Sequence, residues 1–95
     1  MTLYIKGEQS QHTRWRNSKR WVAVEVMELR RIVAQNLRRL RQDRGLTQEE
    51  LADRAGLNRN YVGMVEREEN APTVDTLEAL AKAMDIDPTA LLVKQ

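Results

Sequence analysis

The sequence predicts an all-α fold: five short helices, preceded by an N-terminal extension with room for a short β segment. Three observations carry this. Apolar residues recur at helical spacing from Val26 onward, at 26, 29, 32/33, 37 and 40. Cap residues stand before the later runs, at Thr47, at Thr73 and at the Asp87-Pro88 pair. Glycines follow two of the runs, at Gly45 and Gly56, where a chain leaving a helix turns left-handed.

Taken in order, residues 1–20 hold Gly7, Ser10, Asn17, Ser18 and scattered charge, with no core pattern. Leu3-Tyr4-Ile5 suits a short strand. Trp21 to Val26 is rich in β-branched residues and reads either as a strand or as the start of the first helix. The first helix is expected from Met27 to Asp43, the second over 48–55 and the third over 59–67. Thr73 opens the fourth, whose buried stripe is Val74, Leu77, Leu80, Ala81 and Met84. Asp87-Pro88 has the cap-then-proline order that opens a fifth, short helix through Leu92. The expected division is an extension over 1–26 and one folded domain over 27–95.

Ninety-five residues suit one domain with a core of its own. The absence of cysteine excludes disulfides and thiolate metal sites. No apolar run approaches the ~18 residues of a membrane span, and no signal-peptide pattern is present, so the expectation is a cytoplasmic protein. Net charge is only +2, but residues 1–20 carry five Lys/Arg against one Glu, and a second basic cluster stands at Arg38, Arg39, Arg41 and Arg44. His12 is the single histidine, and no nucleophile triad, P-loop or metal-ligand spacing occurs. No catalytic residue, cofactor or metal is therefore expected, and an enzyme reading has no support.

The informative stretch is 46–66. Thr47 and Glu50 have capping-box spacing, and Leu51, Ala52 and Ala55 follow at helical spacing. Gly56 closes that helix and Asn58 is placed to cap the next. Val62 and Val65 face inward there, while Arg59, Asn60, Gly63, Met64 and Arg67 share the other face. A short turn before a polar, base-capable helix is the pattern of a helix-turn-helix that reads DNA. Arg59 suits guanine O6 and N7, and Asn60 suits adenine N6 and N7. Met64 suits either a thymine methyl or a packing role. Gly63 costs about 1 kcal/mol relative to alanine in a helix; it is either tolerated or allows close approach to the groove floor. Asn58, Tyr61 and Arg67 are phosphate candidates, with the alternative that the Tyr61 ring lies on the core.

Residues 29–92 resemble the lambda-repressor-like family, the Cro/XRE type of bacterial and phage regulators. The resemblance rests on Leu37-Arg-Arg-Leu-Arg41, Gly45 to Ala52, Ala55-Gly-Leu57, Val62, Val65-Glu66-Arg67 and Pro72 to Ala81. It implies binding to double-stranded operator DNA, with the base-contacting set Arg59, Asn60, Gly63 and Met64 on the recognition helix; a homodimer is expected because one such helix reads only a few base pairs. It implies a phosphate contact for Gln48, and a buried salt bridge between Arg41 and Glu66 that joins the first helix to the third. An exposed Arg41 aimed at phosphate is the alternative. One departure stands out. Where the family often has glycine and then basic residues, this chain has Glu68-Glu69-Asn70. Non-glycine residues pay to adopt positive φ, so this helix is expected to close differently, and two carboxylates repel any phosphate passing the loop.

The functional expectation is a sequence-specific transcriptional regulator, a repressor, bound to DNA through residues 59–67. The competing expectation is an antitoxin-like interaction module that binds a protein partner through residues 1–26, with Tyr4, Ile5, Trp15 and Trp21 as anchors.

Overall fold

A computed structural model describes residues 19–94, with side chains from Glu28 onward. The expected Leu3-Tyr4-Ile5 strand lies outside these residues. Helix α1 runs over Lys19–Asp43. It crosses the 26/27 boundary without a break and takes in Trp21 to Val26, which decides between strand and helix there. Strand preference is a weak prior, and no proline or glycine interrupts the run from Lys19 to Asp43.

Three further α-helices follow: α2 over Gln48–Arg54, α3 over Tyr61–Glu66 and α4 over Val74–Met84. The expected fifth helix is instead one 3-10 turn, Pro88–Leu91. Its bonds run Ala90 N–H to Asp87 and Leu92 N–H to Thr89, each 2.9 Å, so the chain spans three residues per turn. So short a segment cannot offset the cost of nucleating an α-helix. Among the described residues there is no strand.

The α-helices close at their C-terminal ends by one device. Beyond each end an N–H returns to a carbonyl of the last turn: Leu46 to Arg41, Leu57 to Ala52, Glu69 to Met64 and Ile86 to Ala81. The residue just before that N–H turns left-handed. Gly45 and Gly56 take that conformation as expected, with φ of 67° and 72°. Glu68 and Asp85 take it without being glycine, at φ 63° and 58°, which corrects the expectation that the helix before Glu68 closes differently. At the other ends, the Thr47 hydroxyl accepts from Glu50 N–H at 3.0 Å and the Glu50 carboxylate accepts from Thr47 N–H at 2.9 Å. Thr73 accepts from Thr76 N–H at 3.1 Å.

The core gathers Val33 and Leu37 of α1, Leu51 and Ala52 of α2, Val62 and Val65 of α3, Leu80, Ala81 and Met84 of α4, and Leu46 and Leu91. Leu37, Leu51, Leu80 and Leu91 have no solvent exposure, and each such side chain contributes about 1.5–3 kcal/mol. Polar groups then lock the elements. The buried Asn36 amide donates to the carbonyls of Leu91 at 3.0 Å and Val93 at 2.8 Å. Arg44 Nε donates to the Met84 carbonyl at the end of α4, at 2.7 Å. Glu28 pairs with Lys94. The apolar core fixes α2 against α3, and so sets the face that α3 presents.

Candidate nucleic-acid interface

The centre of this face is a buried carboxylate. The Glu66 side chain ends α3 with 0% exposure. Its Oε2 accepts from Arg41 Nε at 2.7 Å, and its Oε1 accepts from Arg41 Nη2 at 3.0 Å. Gln48 Nε2 donates to the same Oε1 at 2.9 Å, and Arg38 Nε reaches it at 3.3 Å. Arg41 spends its third arm on the Leu46 carbonyl, 2.8 Å away. Burial pushes the Glu66 carboxyl up, but the bonds from Arg41 and Gln48, the Arg41 charge and the Arg38 bond outweigh it, and the group sits below its ordinary value. The pairing implied by the resemblance is present, and an Arg41 aimed outward is excluded.

Gln48 is thus tied to α3 rather than extended into solvent. It begins α2, and its amide keeps a second Nε2 hydrogen and an oxygen for other partners. Gly63 explains how it fits. A Cβ at position 63 would stand 3.0 Å from Gln48 Oε1 and 3.0 Å from Arg67 Nη1. Gly63 is buried under these two side chains. The missing side chain at position 63 makes room for Gln48 and Arg67.

Helix α3 is shorter than the expected 59–67. Arg59 and Asn60 stand in the turn before it, where the Asn58 carboxamide oxygen accepts from Asn60 N–H at 2.9 Å. Asn58 therefore shapes the turn, while Asn60 occupies the cap position with no side-chain cap bond. Both Arg59 and Asn60 are exposed. Met64 is half-buried and outside the core cluster, whereas the Tyr61 ring packs against it. Arg67 is exposed and paired with Glu69 through two bonds, of 2.9 and 3.2 Å.

The structure changes the meaning of the Arg38, Arg39, Arg41 and Arg44 cluster. Arg41 is buried on Glu66, Arg38 reaches the same carboxylate, Arg39 donates to Asn36 and Arg44 closes α4. Composition alone had made these arginines a basic patch. Asn36 was not singled out by the sequence, since an asparagine among arginines on a long helix has no distinguishing pattern. A single Asn at a position that helical phase turns inward was the available signal.

Among the described residues, no group of His, Cys, Asp and Glu could hold a metal ion, and no helix is long and apolar enough to cross a membrane. A helix-turn-helix family model matches residues 37–91, which is more than half of the chain. The chain belongs to the helix-turn-helix family. The control protein C.SmaI of Serratia marcescens is 44% identical over 69 residues, covering 73% of this chain and 82% of that protein. The crystal structure of the restriction-modification controller protein C.AhdI from Aeromonas hydrophila matches with a TM-score of 0.63 and 44% identity, over 65% of this chain and 94% of that one. The hypothetical transcription factor NHTF from Neisseria matches with a TM-score of 0.68 and 38% identity, over 70% and 76%. The helix-turn-helix protein described here is a DNA-binding transcriptional regulator and not an enzyme.

Proposed function

We propose that the protein represses transcription by binding operator DNA as a two-fold dimer in the cytoplasm of a bacterium or phage-infected cell. The observation that carries this reading is the contrast on the helix-turn-helix. Arg59 and Asn60 are exposed at the start of α3 with no side-chain cap bond, while the opposite end of α3 is bound through Glu66 to Arg41 and Gln48. Rigid support behind free, fork-shaped donors is what base reading requires.

In this reading Arg59 and Asn60 contact bases, and Met64 meets a thymine methyl beside them. Gln48, Asn58 and the Tyr61 hydroxyl contact phosphates, whereas the guanidinium of Arg67, the remaining phosphate candidate, is engaged by Glu69. The dimer face would be the apolar surface around Leu29 and Leu92, 46% and 41% exposed; Val74, expected in the buried stripe of α4, is instead 75% exposed. Both leucines line an open groove of about 180 Å³ together with Arg30, Val33, Ala71, Pro72 and Leu77. No residue of α2 or α3 contributes to that surface, so pairing there leaves the recognition face free.

Selection of bound sequences from a random duplex pool tests the whole reading. The expected product is a palindrome whose half-sites lie one helical turn apart, about 34 Å. Recovery of no enriched sequence would overturn it.

A further inference from the structure

The stretch after α3 carries a feature that DNA binding alone does not explain. Arg67 lies back along α3, its Nη1 3.0 Å from the point where a Cβ of Gly63 would stand. The Glu69 carboxylate closes on the guanidinium with two bonds, Nε to Oε2 at 2.9 Å and Nη2 to Oε1 at 3.2 Å. This fork-to-fork arrangement is the one a DNA phosphate makes with arginine. Glu69 is held in place by the chain itself. Its N–H returns to the Met64 carbonyl at 2.9 Å, across the left-handed Glu68. A phosphate arriving at Arg67 therefore meets a site already filled by an anion of matching shape.

We propose that Glu69 sets the sequence-independent DNA affinity of this protein by occupying Arg67 as an internal substitute for a phosphate. The inference rests on the DNA-binding reading above and assigns Glu69 a positioning role within it. Arg67 lies against Gly63 instead of extending, and no net positive charge is left at this end of the recognition helix: Arg67 is offset by Glu69, and Glu68 adds a further carboxylate. The consequence is weaker adhesion to any duplex, specific or not, and a shallower dependence of affinity on salt.

The test is a cycle of four proteins: the unaltered chain, Glu69→Gln, Arg67→Ala and the double variant. Each is titrated with a non-operator duplex and with the selected operator between about 50 and 200 mM salt. Both side chains are 54% exposed, so the fold should survive every substitution. Glu69→Gln should steepen the fall of log K with log salt by about 0.9, one phosphate contact, and tighten binding to both duplexes roughly three- to tenfold at the low-salt end. In the Arg67→Ala background the same substitution should leave the slope unchanged. In the free protein, the Arg67 Nε–H resonance should shift on Glu69→Gln, which follows the pair without DNA.

An equal effect of Glu69→Gln in both backgrounds would overturn the proposal, because Glu69 would then act by direct repulsion of phosphate. So would a loss of one full contact from the slope on Arg67→Ala alone, since Arg67 would already be on DNA. A failure of the DNA-binding reading shows separately, as absence of salt-dependent binding by the unaltered chain, and removes both.

Discussion

Arg41 and Glu66 meet fork to fork, at 2.7 and 3.0 Å, and join the last turns of α1 to the last residue of α3. The pair fixes the position of the recognition helix because the core under α3 is small: only Val62 and Val65 anchor it among its fully buried apolar side chains. Removing the guanidinium leaves a carboxylate with 0% exposure facing only Gln48 and the longer bond from Arg38. Arg41→Ala should therefore lower stability by about 3–5 kcal/mol, since breaking a buried pair strands a charge. Urea unfolding measures this. A loss under ~1 kcal/mol would mean that the pair is screened as surface pairs are.

The same carboxyl predicts a pH response. Its folded value lies below the ordinary one, so its contribution is present above the unfolded value and disappears as pH falls through the folded one. Stability should hold from neutral pH down to about 5, then decline below about 4 as Glu66 protonates. Glu66→Gln should be less stable at neutral pH, and the gap should narrow as pH falls below the ordinary carboxylate range. Parallel curves across that range would show that another group controls the decline.

Glu68 closes α3 at φ 63°, a conformation that costs an L-residue about 1–2 kcal/mol. Glycine there loses the strain and pays about 0.5–1 kcal/mol in backbone entropy. Glu68→Gly should thus raise stability by roughly 0.5–1 kcal/mol, read as a higher urea midpoint. Asp85→Gly, at φ 58°, should gain less, because aspartate tolerates the left-handed region better. Equal gains at both positions would contradict that ordering.

Base reading is tested by Arg59→Ala and Asn60→Ala. Each should relax preference at one position per half-site, at a cost of about 1–3 kcal/mol. Gln48→Ala should instead weaken binding to all duplexes alike, because phosphate contacts carry no base information. Unchanged selected sequences in both turn variants would move the reading face elsewhere.

How much of this was legible in the sequence follows from where the signal is local. Capping pairs such as Thr47 and Glu50 act within four residues, and the structure places both bonds as the spacing requires. At Glu68 the local signal misled: the missing glycine pointed to a different closure, yet the same left-handed turn forms there with a glutamate at φ 63°. The start of α1 was not legible, because β-branched residues at 22, 24 and 26 and helical continuity from 26 compete at similar strength. The room that Gly63 leaves for Gln48 and Arg67 was not legible, because Gln48 comes from α2 and Arg67 folds back from beyond α3. The roles of Arg44 and Asn36 depend on carbonyls at Met84 and Leu91, 40 and 55 residues away, which no window on the chain connects.

The dimer face gives the last prediction. Leu92 is 41% exposed and Val93 52%, beside Leu29 at 46%. A lysine at an exposed position changes monomer stability by about 0.5 kcal/mol or less, so Leu92→Lys should keep the helix content of the unaltered chain and lose only the concentration-dependent part of its thermal stability. In a two-fold pair, however, it would place two like charges in an apolar contact. Sedimentation should then report a monomer at concentrations where the unaltered protein is a dimer. Operator affinity should fall by about 10²- to 10⁴-fold, the advantage that linking two half-site readers confers, while binding to a single half-site stays as it was. Leu29→Lys should reproduce this from the α1 side of the same surface. A persistent dimer in the doubly substituted protein would place the two-fold contact on another face. A monomer that still binds the full operator tightly would show that one recognition helix suffices.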